Sequence, residues 1–416
     1  MHKADVLVLG AGMVGVSTAL HLQSRGRSVV LIDRRGVAEE TSYGNAGLIQ
    51  REGIVPYAFP RDLRLISQYA LNLLPEANVH YGALPKIAPW LVRYFLQSSP
   101  EHVAATARGA RPLVERCIIE HEAFMEAAGV IGMIRRTGYM KLFRSEEGLE
   151  EGLAKAEAVR KPYGVNYEAL TPAAVADMEP HLRGPIAGGI LMPDPASVPD
   201  PAAVAKSYAR LFQEKGGRVM IGDARSLAQF PQGWEVETSE GRVRAQAAVL
   251  ALGPWADDVF APLGYFFPLG VKRGYHMHYR AEGNATLNRP VLDAEVGYVL
   301  APMTAGLRLT TGAEFAERDA PATPVQLERD EAAAKEIFPL GARVDPEPWL
   351  GRRPCLPDML PVIGPAARHQ GLWFNFGHHH LGFTLGPVTG RLLAEMMTKE
   401  APFTDPTPYA PGRFEA

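Results

Sequence analysis

The sequence predicts an α/β fold, and three observations predict it. "ADVLVLG" (4–10) is an apolar, β-branched run that reads as a buried strand. "AGMVGVSTALHLQSRG" (11–26) carries apolar residues at helical spacing and stops at Gly26. "SVVLIDRR" (28–35) is a second buried strand with Asp33 near its end. Strand, helix and strand in that order make a β-α-β unit, which builds a parallel sheet.

The first strand-to-helix turn holds Gly10, Gly12 and Gly15, a G-x-G-x-x-G pattern. Gly10 permits the tight turn, Gly12 leaves room for a pyrophosphate, and Gly15, followed by Ala19, lets the helix pack close to the sheet. Phosphates are expected at the helix N-terminus, beside Met13 and Val14, where free N–H groups and the dipole favour anions. Asp33 can accept both hydroxyls of a ribose, with Arg34 and Arg35 next to it. The unit is therefore expected to bind a dinucleotide. "RRGVAEETSYGNAGLI" (34–49) points to FAD rather than NAD. Its loop, with Thr41, Ser42, Asn45, Ala46, Gly47 and Leu48, can bond a pyrophosphate and lay backbone N–H groups beside a flavin ring. An NAD dehydrogenase would continue with another helix and strand.

The 416 residues suffice for a large core and two or three domains. Lys and Arg number 43 against 46 Asp and Glu, a net charge of −3, so nucleic acid is not an expected partner. Cys117 and Cys355 lie far apart, which suits a reducing compartment rather than a disulfide framework. The opening residues have the short basic lead and apolar run of a signal peptide, but Asp5 interrupts the run and its glycines have the nucleotide role. No apolar stretch is long enough to span a bilayer.

Four segments carry a resemblance: "GAGMVGVSTALHL" (10–22), "ETSYGNAGLI" (40–49), "GRRPCLPDMLPVIGP" (351–365) and "GHHHLGFTLGPVTGRLLAEMM" (377–397). Together they resemble the FAD-dependent amino acid oxidoreductases, the group of D-amino acid oxidase, glycine and sarcosine oxidases and bacterial D-amino acid dehydrogenase. The S-x-x-N-A-G loop and the segment from about 55 to 180 are most similar to the small subunit of bacterial D-amino acid dehydrogenase. The resemblance implies a Rossmann-type FAD-binding domain, discontinuous over 1–55, 190–260 and 350–400. An antiparallel-sheet substrate domain would take 56–189 and 261–349, and 401–416 would be a C-terminal tail.

The intervening segments fit that plan. "VPDPAAVAKSYARLFQEKGGRVMIGDARSL" (198–227) reads as a capped helix, a turn at Gly216 and Gly217, and a returning strand. "GWEVETSEGRVRAQAAVLALGPWADDVF" (233–260) reads as a hairpin turning at "SEG", then a buried strand. By motif position the resemblance puts Ala224 beside the adenine and Ala251 and Gly253 near the phosphates, with Trp255 either there or in the core.

The resemblance also implies that Arg353, just before the proline, clamps a substrate α-carboxylate, as a planar guanidinium can with two parallel bonds. Arg352 should point elsewhere if the stretch is extended. Cys355 lies in the wrong register for a flavin tether, so FAD is expected to be non-covalent and Cys355 a packing residue. Tyr275, His276 and Tyr298, on expected strands of the covering domain, are candidates for the pocket wall.

His378, His379 and His380 suggest a metal site at first sight, but consecutive residues project in different directions and zinc ligands normally have gaps between them. No metal is expected. The better reading is a flavin-side loop, Leu381, Gly382, Phe383 and Thr384 included, leading into a helix with Pro387 in its first turn. His379 and His380 are then close to both flavin and substrate.

The expected reaction is oxidation of a D-amino acid by hydride transfer from Cα to flavin N5, a cyclic imino acid such as D-proline or hydroxyproline being one candidate. Electrons would go to a quinone or carrier; a glycine- or sarcosine-type oxidase using O₂ is the alternative. Rivals of other classes are an NAD dehydrogenase and a flavin-binding protein that only relays electrons. The expected location is cytoplasmic. Peripheral contact with the inner face of the membrane through "KIAPWLVRYFLQ" (86–97), which equally reads as a core-facing helix, and a homo-oligomer stay open.

Overall fold

A computed structural model describes residues 2–414. The strand His2–Leu9 sits in the interior of a first sheet, parallel to Val29–Asp33 on one side and Gly241–Leu250 on the other. Val6, Leu7, Val8 and Leu9 are all buried. The two-residue alternation of a strand sends Val6 and Val8 into one core and Leu7 and Leu9 into another. Val29 and Leu31 against Val30 and Ile32 divide in the same way, so the sheet is covered on both faces. Arg218–Ile221 extends it beyond Val29–Asp33 in parallel, delivered by the helix Pro201–Glu214, which Asp200 caps through a bond from the Ala203 N–H at 2.9 Å. Gly233–Thr238 forms the hairpin with Gly241–Leu250, closing at Thr238 and Gly241.

The second sheet has 11 strands built around the long Gly270–Ala281. It is largely antiparallel, with parallel pairings of Val291–Asp293 to Tyr139–Phe143 and of Ala313–Phe315 to Ala77–Val79. Two boundaries differ from the expected division. Trp349–Cys355 and Gly188–Met192 both belong to this sheet, so the limits set at 350 and 190 cut through its strands. The cause is backbone pairing between distant segments, Gly270–His276 with Trp349–Cys355, which no local pattern encodes. The helix Pro100–Ala127 likewise joins the first sheet's core: His121 donates or accepts at 3.0 Å from the Tyr208 hydroxyl and lies 2.8 Å from the Phe383 carbonyl. The C-terminal segment is docked on the body by Tyr409, whose hydroxyl donates to Gly109 O at 2.6 Å, and by Arg413, 2.7 Å from Asp358.

The last long helix spans Gly382–Thr398. It starts five residues before the proline, so Pro387 lies inside it rather than in its first turn. Proline has no N–H to give the carbonyl four residues back. That carbonyl is Phe383 O, and His121 Nε2 takes the vacant place at 2.8 Å. This helix crosses Met13–Ser24 at Gly386 and Gly390, where a Cβ would lie 2.6 Å from Met13 Cγ and 2.8 Å from the Thr18 nitrogen.

Candidate active site

One cavity of about 570 Å³ runs from the first strand-to-helix turn to the inner face of the second sheet. At its nucleotide end Gly10 has φ +102°, and a Cβ there would lie 2.4 Å from Ala251 O. A Cβ on Gly15 would lie 1.7 Å from Gly10 O, so this glycine sets helix-to-turn packing and is not itself part of the lining. Gly12, Met13 and Val14 line the cavity. The helix Met13–Ser24 has neither a side-chain cap nor an acid in its first turn, which leaves its positive end open to an anion. Met13 N donates to Ser42 Oγ at 2.9 Å. Asp33 lines the cavity and is fixed by the N–H groups of Ala11 (2.9 Å), Arg35 (2.8 Å) and Gly36 (3.1 Å). Arg34, Ala224, Ala251, Gly253 and Trp255 complete this end, with the Arg34 guanidinium 4.5 Å from the centre of the Trp255 ring.

The loop after Asp33 forms the side wall. Thr41, Ser42, Asn45, Ala46 and Leu48 line the cavity, Thr41 donating to Arg352 O at 2.9 Å. Arg308, on the second sheet, donates to Tyr43 O at 3.1 Å and also to Asn45 O, and so pins the loop to the covering layer.

At the other end lies Arg353. Its guanidinium donates to the carbonyls of Gly312 (2.7 Å), Thr311 (3.1 Å) and Arg273 (3.3 Å). Burial lowers its pKa, and the groups acting on its charge are Cys355 and Tyr57, neither of them a carboxylate. Arg352 turns the other way, to Arg318 O at 2.9 Å and Asp319 at 3.8 Å. Directly across the ladder from Arg353 is Lys272. Its ammonium donates to Tyr94 Oη at 2.9 Å, and burial pushes its pKa down to about 8. Cys355 lines the cavity as well, with a thiol whose pKa burial raises.

All three histidines reach the lining, with different partners. His378 is 3.0 Å from Thr389 Oγ1 on the final helix. His379 and His380 line the cavity, their Nδ1 atoms 3.2 Å apart, and His380 packs on Tyr57 with ring centres at 5.0 Å. Burial holds all three neutral, with His378 and His379 pushed down to about 3. His379 takes a left-handed backbone, φ +42°, at the turn into the helix. Gly382 and Phe383, in the first turn of Gly382–Thr398, line the cavity below them, and this helix also lacks a side-chain cap.

Several expected site residues do not face the cavity. Tyr298 is buried in the core beneath the second sheet, its hydroxyl engaged with Arg144 and Asp293. Strand alternation turns it away, while its neighbours Gly297 and Val299 reach the lining. Tyr275 touches the lining, but its hydroxyl is bound by Thr323 N (2.8 Å) and to Glu314 (3.1 Å), part of the buried Arg273–Glu314 cluster. His276 is stacked on Trp349 at 4.8 Å, with its pKa pushed down to about 2 by burial. Arg35 is an exposed partner of Glu40 at 2.8 Å. Gly47 packs on Val198 O, which a Cβ would meet at 2.2 Å. Thr384 is turned to Leu48 O at 3.2 Å, and Leu381 is buried behind the cavity in the core.

Reading the sequence missed Lys272, Tyr57, Asn375 and the pair Trp90 and Tyr94. The last two come from the helix Leu84–Leu96, whose Trp90 Nε1 donates to Cys355 O at 3.1 Å. Tyr94 donates to Tyr57 O. In "GVKRGYHMHY" Lys272 stands between Val271 and Arg273, and nothing local sets it apart.

The cavity fits an elongated ligand with an anionic middle. Two helix N-termini without side-chain caps open on it, glycines stand where a Cβ would fill it, and the lining residues Asn375 and Thr310 each keep a buried oxygen without a partner among the described residues. Residues 5–396 match the model of the FAD dependent oxidoreductases. The chain is 30% identical to a "D-amino-acid oxidase" of Bradyrhizobium diazoefficiens over 418 residues, 98% of each chain. It is 31% identical to a "D-amino acid dehydrogenase" of Granulibacter bethesdensis over 429 residues, 98% of this chain and 99% of the other. The crystal structure of glycine oxidase from Geobacillus kaustophilus superposes with a TM-score of 0.75 at 21% identity, covering 99% and 98% of the two chains, a likeness of fold.

Proposed function

The chain belongs to the FAD-dependent oxidoreductase family, and from that premise we propose that it oxidises a D-amino acid to the imino acid, which hydrolyses in water to the 2-oxo acid and ammonia. FAD would be held by Gly10, Gly12, Met13, Asp33, Ser42, Ala224, Ala251, Gly382 and Phe383, all at the cavity. Bound FAD supplies the two-electron acceptor for the hydride that leaves Cα. The one observation that carries the substrate reading is Arg353, a guanidinium in the cavity that is held by three carbonyls and has no ion pair among the described residues. It receives the α-carboxylate and so fixes where Cα stands.

No side chain need act as base if the amine binds neutral. The histidines are held neutral by burial. Trp90 and Tyr94 pack behind the substrate end, Trp90 bonded to Cys355 O and Tyr94 to the Lys272 ammonium. The raised pKa of the Cys355 thiol makes it a poor nucleophile and favours a non-covalent flavin. The electron acceptor is a quinone, a carrier or O₂. No helix among the described residues is long and apolar enough to cross a membrane.

The test is anaerobic mixing of the purified holoenzyme with D- and L-amino acids while the visible flavin band is followed. Arg353→Ala should retain flavin yet lose about 2–5 kcal/mol in kcat/KM, the range for truncating one side of a buried charged pair. Unaltered kinetics in this variant would refute the assignment.

A further inference from the structure

Lys272 and Arg353 are direct cross-strand partners on the cavity face, two cations side by side. Like charges opposite each other destabilise a ladder, and an unpaired cation out of water is costly. A carboxylate nearby would normally offset both. Here the groups acting on Lys272 are Cys355 and Arg353, and those acting on Arg353 are Cys355 and Tyr57. No ion pair among the described residues involves either side chain.

The cations at the nucleotide end are arranged otherwise. Arg34 pairs with Glu40 at 3.3 Å, and Arg352 lies 3.8 Å from Asp319. The excess positive charge thus lies at the substrate end, where the histidines are neutral and add none to it.

The surroundings of Lys272 hold an ammonium without neutralising it. Its Nζ lies 4.0 Å from the centre of the Tyr94 ring and 5.8 Å from those of Trp90 and Phe315, and ring faces attract cations. The Tyr94 oxygen accepts one of its protons at 2.9 Å. Donor capacity is left for a ligand, since an ammonium carries three protons.

We propose that the preferred substrate is a dicarboxylic amino acid, its α-carboxylate on Arg353 and its side-chain carboxylate on Lys272. The inference rests on the amino acid reading above and deepens it. The second carboxylate neutralises a site that a neutral amino acid, or a cyclic imino acid, leaves with one uncompensated cation.

Two measurements on the holoenzyme test it. In anaerobic flavin reduction, D-aspartate or D-glutamate should exceed D-alanine, D-leucine and D-proline in kcat/KM by tenfold or more. In calorimetric titration, succinate or malonate should bind at least tenfold more tightly than butyrate, and Lys272→Met should abolish that advantage. Faster reduction by neutral amino acids, with no preference for the dicarboxylates in binding, overturns the proposal and leaves the amino acid reading standing. Reduction by no amino acid at all sinks both. The wild-type titration decides even if the variant does not fold.

Discussion

At the scale of single residues, direction matters more than type. Tyr275 and Tyr298 were both candidates for the pocket wall, and neither hydroxyl reaches it. Tyr298 turns to Arg144 and Asp293, and Tyr275 to Glu314 and Thr323. Tyr298→Phe should therefore lower stability by about 1–3 kcal/mol, the cost of leaving buried partners unpaired, while substrate KM stays as it was. Chemical denaturation and steady-state kinetics on the same preparation check this, and a raised KM would return Tyr298 to the site. The residue that does stand across from Arg353, Lys272, is unremarkable in sequence. Its meaning comes from Trp90, Tyr94 and Phe315, contributed by distant segments.

At the scale of elements, the two helices that aim at the cavity are coupled by their glycines. Met13–Ser24 and Gly382–Thr398 meet where Gly390 lies against the Thr18 nitrogen and Gly386 against Met13. Backbone cannot yield there as a flexible side chain would. Gly390→Ala should cost about 1–3 kcal/mol from overpacking and weaken FAD retention, because it separates the two helix N-termini that share one ligand. Thermal unfolding and the flavin-to-protein absorbance ratio after gel filtration measure the two effects. Unchanged values for both would show the contact to be slack. The nucleotide unit was legible because turn, helix and strand are contiguous. The start of the last helix was not, since Pro387 signals a first turn unless something else satisfies Phe383 O, and His121 does so from 262 residues away.

At the scale of the whole molecule, burial of histidines sets the response to acid. His21, His121, His276, His378 and His379 have pKa values pushed down to about 3, 4, 2, 3 and 3, in each case chiefly by burial. In the unfolded chain each takes up a proton below about pH 6.5. The unfolded state then binds more protons, and stability falls as pH drops from there towards the folded values. Glu52 and Asp330, raised to about 7 and 8 by burial, work the other way. Folded, they hold protons that the unfolded chain releases above about pH 4–4.5, so they restore stability on acidification. Five groups outweigh two. The urea midpoint of the holoenzyme should decline between pH 6.5 and 5, and a level or rising midpoint would mean that these histidines are not held neutral.

The sequence alone determined the dinucleotide unit, the FAD-type loop after it, the candidate arginine and the family these motifs share. All of them are short-range patterns, fixed by steric limits on glycine, by strand and helix periodicity and by the chemistry of one side chain. Tertiary structure alone decided which faces of the covering strands meet the cavity, that the helix Leu84–Leu96 packs against Cys355 and Lys272, and that two cations stand there with no ion pair among the described residues. Those facts depend on pairings between segments far apart in the chain, and a pairing shifted by one residue would put Lys272 and Arg353 on opposite faces of the sheet.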